Sequence, residues 1–435
     1  MVELIQRELH VSLGDVAWSE EEARAAIREI VDDALAHFDP ETLWPSHPLD
    51  GVPHGLAGLY MGASGVILAL DQLKRAGAID DARDFVPVLP RLIAQDDFGL
   101  KNTTFGAYGS LLMRDLGPLL LTMRLRPSTD IADRIQTRIE GNNALPPLEL
   151  MWGTAGSMLA CTFMDKFESL SPTGGEGKGE GADADISNGN ITDTSSPPPY
   201  PGPLPQRGRG RFGELYREQA ARLLGDLEDR GAYRIWLPDI YGQRHRFVGL
   251  VHGFAGNMLA LLRGWRWLTP EQQRTVEEIS VTTLAATARR SEEGANWLMD
   301  ADELEAPMLC QVCHGAPGIV LAFAEAPFRD PQFETLLEEA GNLIWSAGPL
   351  KKGSNLCHGT GGNGYAFLKL YRRTGDPVWL ERARAFAMAA IGQVRAAREQ
   401  YGRGRYSLWT GDPGLAVYLW DCITGEARFP AVDAF

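Results

Sequence analysis

The chain has 435 residues, 44% of them hydrophobic, enough to bury a large core as one large domain or two to three ordinary ones. A formal charge of -15 gives no global field to hold nucleic acid or an anionic membrane surface, and no run reaches the roughly 18 apolar residues of a membrane span. Five cysteines are too few for a dense disulfide framework, and the acidic N-terminus carries no secretory pattern, so a reducing, cytoplasmic setting is expected.

Ser19, with Glu22 three residues on, forms a capping box that opens a helix through EEARAAIREIVDDALAHF. One pattern then recurs: a Gly-x-x-Gly turn immediately before an apolar run. It is met at Gly62, Gly106, Gly153, Gly253, Gly315, Gly359 and Gly411. The runs after these turns carry almost no charge and many small residues. Between them lie amphipathic segments such as LYREQAARLLGDLED and QFETLLEEAGNLIW, apolar on one face and charged on the other. Seven alternations of a half-exposed helix with a buried one predict an all-α fold. Its architecture is a double-ring α/α toroid of seven inner and seven outer helices, with the Gly-x-x-Gly turns at one end of the inner ring. An open solenoid is the plainer alternative, since its turns would line an edge without meeting. The Gly-, Pro-, Asp- and Ser-rich stretch 174–211 reads as a disordered inserted loop in one toroid domain spanning 1–435, because helical repeats continue beyond it.

The chemistry gathers at three His-Gly turns. In CQVCHGAPG, Cys310 to Gly318, a Cys-x-x-Cys-His spells the attachment signature of a c-type haem, but that chemistry normally accompanies export. Cys313-His314-Gly315 has a counterpart in Cys357-His358-Gly359, and a third turn carries His252 before Gly253. Converging turns would let Cys313, Cys357 and His358 offer two thiolates and an imidazole to one zinc ion. A fourth position would stay open, as in catalytic rather than structural zinc sites. The plainer reading is small buried residues at tight turns, free Cys being a common core residue. Cys310 is read as structural or spare.

CHGAPG at Cys313, GSNLCHGTGGNGYAFLKLY at Gly353, the Gly-x-x-His-Gly at Gly249 and YSLWTGDPGLA before the last run resemble the closing, central and last motifs of the lanthionine synthetase C-like family. The resemblance covers nearly the whole chain outside 174–211. It implies the toroid, a central zinc on Cys313, Cys357 and His358, and attack of a thiol on dehydroalanine or dehydrobutyrine to form a thioether. In the peptide cyclases the thiol is a Cys of the substrate peptide; in the eukaryotic-like branch it is glutathione. His252 is then a base for the thiol or a stabiliser of the enolate, Glu149 its partner or an acid, and His314 a proton donor. Lys352, five residues before Cys357, resembles the lysine that contacts glutathione, and Arg403 and Arg405 are placed to meet a second carboxylate. Leu309 stands where the cyclases carry an Arg, which favours glutathione or a similar small thiol as co-substrate and a dehydroamino-acid-containing peptide or protein as partner. Intramolecular cyclisation is the enzyme alternative, and a non-catalytic glutathione- or peptide-binding protein is the alternative of another class.

Overall fold

The computed structural model describes residues 3–81, 83–146, 149–169 and 210–435. Its helices in chain order are α1 Glu20–Ala36, α2 Ala63–Arg75, α3 Leu89–Ala94, α4 Thr104–Ala107, α5 Leu116–Leu125, α6 Thr129–Asn143, α7 Thr154–Ser169 and α8 Arg211–Gly225. They continue with α9 Phe254–Arg263, α10 Pro270–Thr287, α11 Ala316–Phe323, α12 Pro331–Ala347, α13 Thr360–Thr374, α14 Pro377–Tyr401 and α15 Asp412–Thr424. Three two-stranded antiparallel hairpins are the only sheets among the described residues: β1 Glu228–Asp229 with β2 Arg234–Ile235, β3 Asp239–Ile240 with β4 Gln243–Arg244, and β5 Ala288–Ser291 with β6 Gly294–Trp297.

Several outer helices start by ordinary side-chain capping. Ser19 Oγ accepts the Glu22 N–H at the start of α1, and Thr269 with Gln272 closes a full capping box on α10. The proposed insertion 174–211 lies outside the described residues except at its end, where Arg211 opens α8.

Seven helices make a closed circuit. α2 packs on α5, α5 on α7, α7 on α9, α9 on α11, α11 on α13, α13 on α15, and α15 returns to α2. The others lie outside: α1 against α14 and α15, α3 and α6 against α5, α8 against α7, α10 against α9, α12 against α11 and α14 against α13. The inner helices are buried almost all round; in α13 every residue from Thr360 to Leu370 is buried.

What draws this ring tight is a glycine in the third position of each inner helix, or the second in α5. At Gly65, Gly117, Gly156, Gly256, Gly318, Gly362 and Gly414, an added β-carbon would fall within 3.0 Å of the carbonyl oxygen six residues earlier. It would also fall within 3.0 Å of a neighbouring turn's side chain: Leu408, Leu59, Leu111, Leu150, Leu250, Val312 and Leu356 in the same order. Each of those residues is itself the sixth before the next glycine in the circuit, so the contacts run once around the ring and close. Val312, beside Cys313, belongs to this packing. Gly362→Ala, whose β-carbon would meet Leu356 O at 1.9 Å and Val312 Cγ2 at 2.7 Å, is expected to destabilise the protein by about 3 kcal/mol or more. A lowered urea midpoint with unchanged slope checks it.

The circuit corrects one sequence expectation. FGAYG at Gly106 does not open an inner helix: α4 stops at Ala107, and α5 begins only at Leu116 with Gly117 in the packing position. The second turn is therefore Arg114-Asp-Leu-Gly117. It lacks the first glycine, which caps the helix, but keeps the second, which sterics demand.

Candidate functional site

The turns meet backbone to backbone. The residue two before the first turn position is Tyr60, Leu112, Met151, Val251, Cys313, Cys357 or Trp409 in the successive turns. Tyr60 N–H donates to Leu112 O at 3.0 Å, Met151 N–H to Val251 O at 3.3 Å and Cys313 N–H to Cys357 O at 3.2 Å. Cys357 N–H donates to Trp409 O at 2.8 Å and Trp409 N–H to Tyr60 O at 3.2 Å. Side chains of this position and of the one after it therefore share one rim. The one after it holds Trp152, His252, His314 and His358.

Cys313 and Cys357 are brought together, with their thiols hydrogen-bonded to each other. The thiol hydrogen given by Cys357 holds Cys313 below the usual thiol range, although burial opposes it, while the same shared proton and burial push Cys357 well up. Each sulfur also receives a donor from another side chain. Tyr60 Oη donates to Cys357 Sγ at 2.8 Å, and Gln311 Nε2 to Cys313 Sγ at 2.9 Å. Lys352 Nζ in turn donates to Gln311 Oε1 at 2.9 Å. Donors around both sulfurs favour negative sulfur, which is what a thiophilic cation requires of its ligands. Cys310 is buried, its thiol pushed up to about 12 by desolvation, and is not part of this pair.

His358 follows Cys357 on the rim. Its backbone N–H is fixed by Asn355 Oδ1 at 3.0 Å, and burial, then the charges of Arg405 and Lys352, lower its imidazole to about 4. It is thus neutral, the form that ligates metal. Among the described residues, the three-residue group whose ligand atoms all lie within 4.8 Å of one another is His245, Asp300 and Glu303, not the two thiols with His358. In that group His245 Nδ1 already pairs with Asp300 at 2.8 Å and Nε2 with Gln243 at 3.1 Å, and Glu303 is exposed, so it reads as a surface ion pair.

On the other side of Cys313 stands a dyad. His252 Nδ1 lies 3.0 Å from Glu149 Oε2. Glu149 is fully buried and also accepts the N–H groups of Met151 at 2.9 Å and Trp152 at 3.1 Å. A carboxylate only accepts, so Nδ1 carries hydrogen and Nε2 keeps its lone pair for the pocket. Burial pulls the His252 imidazole down, but the Glu149 hydrogen bond and charge, with the charge of Cys313, outweigh it and hold the group above its usual range. His314 stacks beside His252 with ring centroids 6.4 Å apart. Burial, then His252 and Lys352, lower it to about 4, and its Nδ1 is buried without a hydrogen-bond partner among the described residues. An unpaired buried nitrogen beside a dyad is a signature of a site awaiting a substrate oxygen or proton.

The two arginines already have partners: Arg405 Nε pairs with Asp50 Oδ1 at 2.7 Å and Arg403 donates to Ser46 O at 2.8 Å, both partly buried. Tyr60 and Gln311 were missed by sequence reading. The signal for Tyr60 was its register, since it holds in the first turn the position that Cys313 and Cys357 hold in theirs.

Comparison with known proteins agrees with the geometry. Residues 212–434 match the family model described as lanthionine synthetase C-like protein. The chain is 31% identical over 194 residues to "Glutathione S-transferase LANCL1" of Danio rerio, covering 44% of this chain and 46% of that one. It is 32% identical over 196 residues to "LanC-like protein GCL1" of Arabidopsis thaliana, covering 43% of each. These matches thus span less than half the length of the curated relatives. The fold is similar to that of nisin cyclase, with a TM-score of 0.56 and 15% identity over 94% of this chain and 95% of that one. The all-α architecture, the circuit of glycine turns and the paired rim cysteines therefore stand on a chain that belongs to the lanthionine synthetase C-like family.

Proposed function

We propose that this protein adds glutathione, or a similar small thiol, to dehydroalanine or dehydrobutyrine residues of peptides or proteins, forming a thioether, with zinc as cofactor. The observation that carries the reading is the Cys313–Cys357 thiol pair on the same rim as the Glu149–His252 dyad. Cys313, Cys357 and His358 would hold the ion, a donor set of two sulfurs and one neutral nitrogen that suits zinc with a position left over. Bound there, zinc would supply a Lewis acid that keeps an external sulfur as thiolate near neutral pH.

The chain's own residues do the rest. His252 Nε2 takes the thiol proton, and the sulfur forms its bond to the β-carbon of the dehydroamino acid. The π pair moves through the α-carbon onto the carbonyl oxygen. The imidazolium, stabilised by Glu149, returns a proton to the α-carbon, so no hydrogen is gained or lost. His314, held neutral, serves better as an N–H donor to the developing oxyanion than as the proton donor that the sequence resemblance implies. Lys352, exposed and donating to Gln311 Oε1, is the rim cation for a carboxylate of the thiol.

The missing Arg at Leu309 and the name of the Danio rerio relative favour an external thiol over ring closure. A dehydrobutyrine peptide that also contains a Cys separates the two. An adduct formed only when glutathione is supplied is expected; a cyclic product without added thiol would make the protein a cyclase. Binding of glutathione with no turnover on any dehydropeptide would leave a binding protein. No helix among the described residues is long and apolar enough to cross a membrane, and we place the reaction in the cytoplasm.

A further inference from the structure

We infer that Phe105, Trp152 and Tyr241 form an acceptor subsite that takes an apolar, preferably aromatic, side chain within two residues of the dehydroamino acid. This rests on the proposed thiol addition for the identity of the acceptor, and on the following geometry for the subsite.

The β3–β4 hairpin pairs Asp239 with Arg244 and Ile240 with Gln243, which leaves Tyr241-Gly242 as a two-residue loop. Both loop residues have positive φ, +57° at Tyr241 and +78° at Gly242. Such loops prefer Asn-Gly or Asp-Gly, because a bulky side chain is disfavoured in the left-handed region. Here the disfavoured position holds a Tyr that is 62% exposed. Folding alone would select against both features, and strain kept in this way is a mark of a functional position.

The ring is nonetheless held in place. Trp152 Nε1 donates to Tyr241 Oη at 2.9 Å. Phe105 lies 4.8 Å from Trp152 and 5.1 Å from Tyr241 between ring centroids. The backbone N–H of the same Trp152 donates to Glu149, and Tyr241 meets His252 edge to face at 6.4 Å. The aromatic shelf is thus built onto the proton-handling dyad. Its Trp152 stands in the α7 turn and its Tyr241 borders His252 of the α9 turn, whereas Lys352 and Cys357 precede α13. The ionic thiol and the acceptor therefore approach His252 from different sides. An extended peptide advances about 3.4 Å per residue, so a shelf this far from His252 meets the side chain one or two positions from the reacting residue.

The test compares Tyr241→Asn, which restores the preferred turn residue, and Tyr241→Phe, which keeps the ring, with wild type. Each is given peptides with Phe or Ser flanking dehydrobutyrine, and the unreactive Ala counterparts for binding by fluorescence anisotropy. Wild type and Tyr241→Phe are expected to favour the Phe peptides about 5-fold, in binding and in KM. Tyr241→Asn is expected to lose that preference with an unchanged KM for glutathione and an equal or higher melting temperature. Equal affinity of wild type for both flanks, a preference that survives in Tyr241→Asn, or a melting temperature lowered by several degrees in that variant would overturn the subsite. Turnover without flank preference would defeat the subsite and leave the thiol addition standing. Flank-selective binding without turnover would do the reverse.

Discussion

Cys357→Ala is expected to lose bound metal and to reduce thiol addition to the uncatalysed rate while the ring stays folded. Its side chain is buried but small, and the turn is held by backbone bonds, Cys357 N–H to Trp409 O and Cys313 N–H to Cys357 O, that a methyl group leaves intact. What disappears is one of two sulfurs, the one whose thiol hydrogen holds Cys313 below the usual thiol range. A free thiol is only a few per cent thiolate at neutral pH, and the orientation of sulfur against the acceptor is lost as well, so a fall in kcat/KM on the order of 10³-fold is expected. Circular dichroism and metal content on the same sample separate this from unfolding. A variant that keeps its metal and more than a tenth of its activity would mean that Cys357 is a packing residue.

The second large effect is expected at Glu149, which in the proposed reaction positions His252. Glu149→Gln keeps the side chain's shape and one of the two oxygens that now accept from Met151 and Trp152, but removes the charge that holds the His252 imidazole up. The burial that opposes it, the largest single effect, then faces only the smaller charge of Cys313. The imidazole should fall below its ordinary value. Because the reaction needs His252 unprotonated to receive the thiol proton, kcat/KM rises with pH through that group. In wild type the rise should lie above the ordinary histidine range, and in Glu149→Gln it should move to lower pH. With the imidazolium no longer stabilised, the plateau should drop by about 10²-fold. A pH profile recorded for both proteins checks it: a lower plateau with an unmoved acid limb would reduce Glu149 to a packing role.

Much of this was legible in the sequence because the repeat is a steric repeat. A glycine that must let a carbonyl and a neighbouring Leu approach leaves its letter wherever the ring is built, and the apolar run after it follows from burial on all sides. The one misreading, at Gly106, came from weighing both glycines of the turn equally. The first can be replaced by Arg114, whereas the second, Gly117, cannot be, because an added β-carbon would meet Leu111 O at 2.4 Å and Leu59. Position relative to the turn also carried the cysteines and histidines to one rim. It could have carried Tyr60 too, had chemistry not drawn attention only to Cys and His. Other features had no local signal. Phe105, Trp152 and Tyr241 meet from segments far apart in the chain, and the Asp50 and Ser46 contacts that occupy Arg405 and Arg403 come from a loop more than 350 residues earlier. Charge on a side chain is visible in sequence, but whether a partner already uses it is decided by the fold.

The measurement that bears most directly on the account is bound metal per chain, by elemental mass spectrometry on wild-type protein purified under reducing conditions without added metal. The rim of Cys313, Cys357 and His358 predicts about one zinc per chain, displaced only by strong chelators and restored by zinc salts. Little metal in the purified protein, and none retained after zinc is supplied and excess removed, would contradict the thiol-activating site and leave the ring as a scaffold for binding.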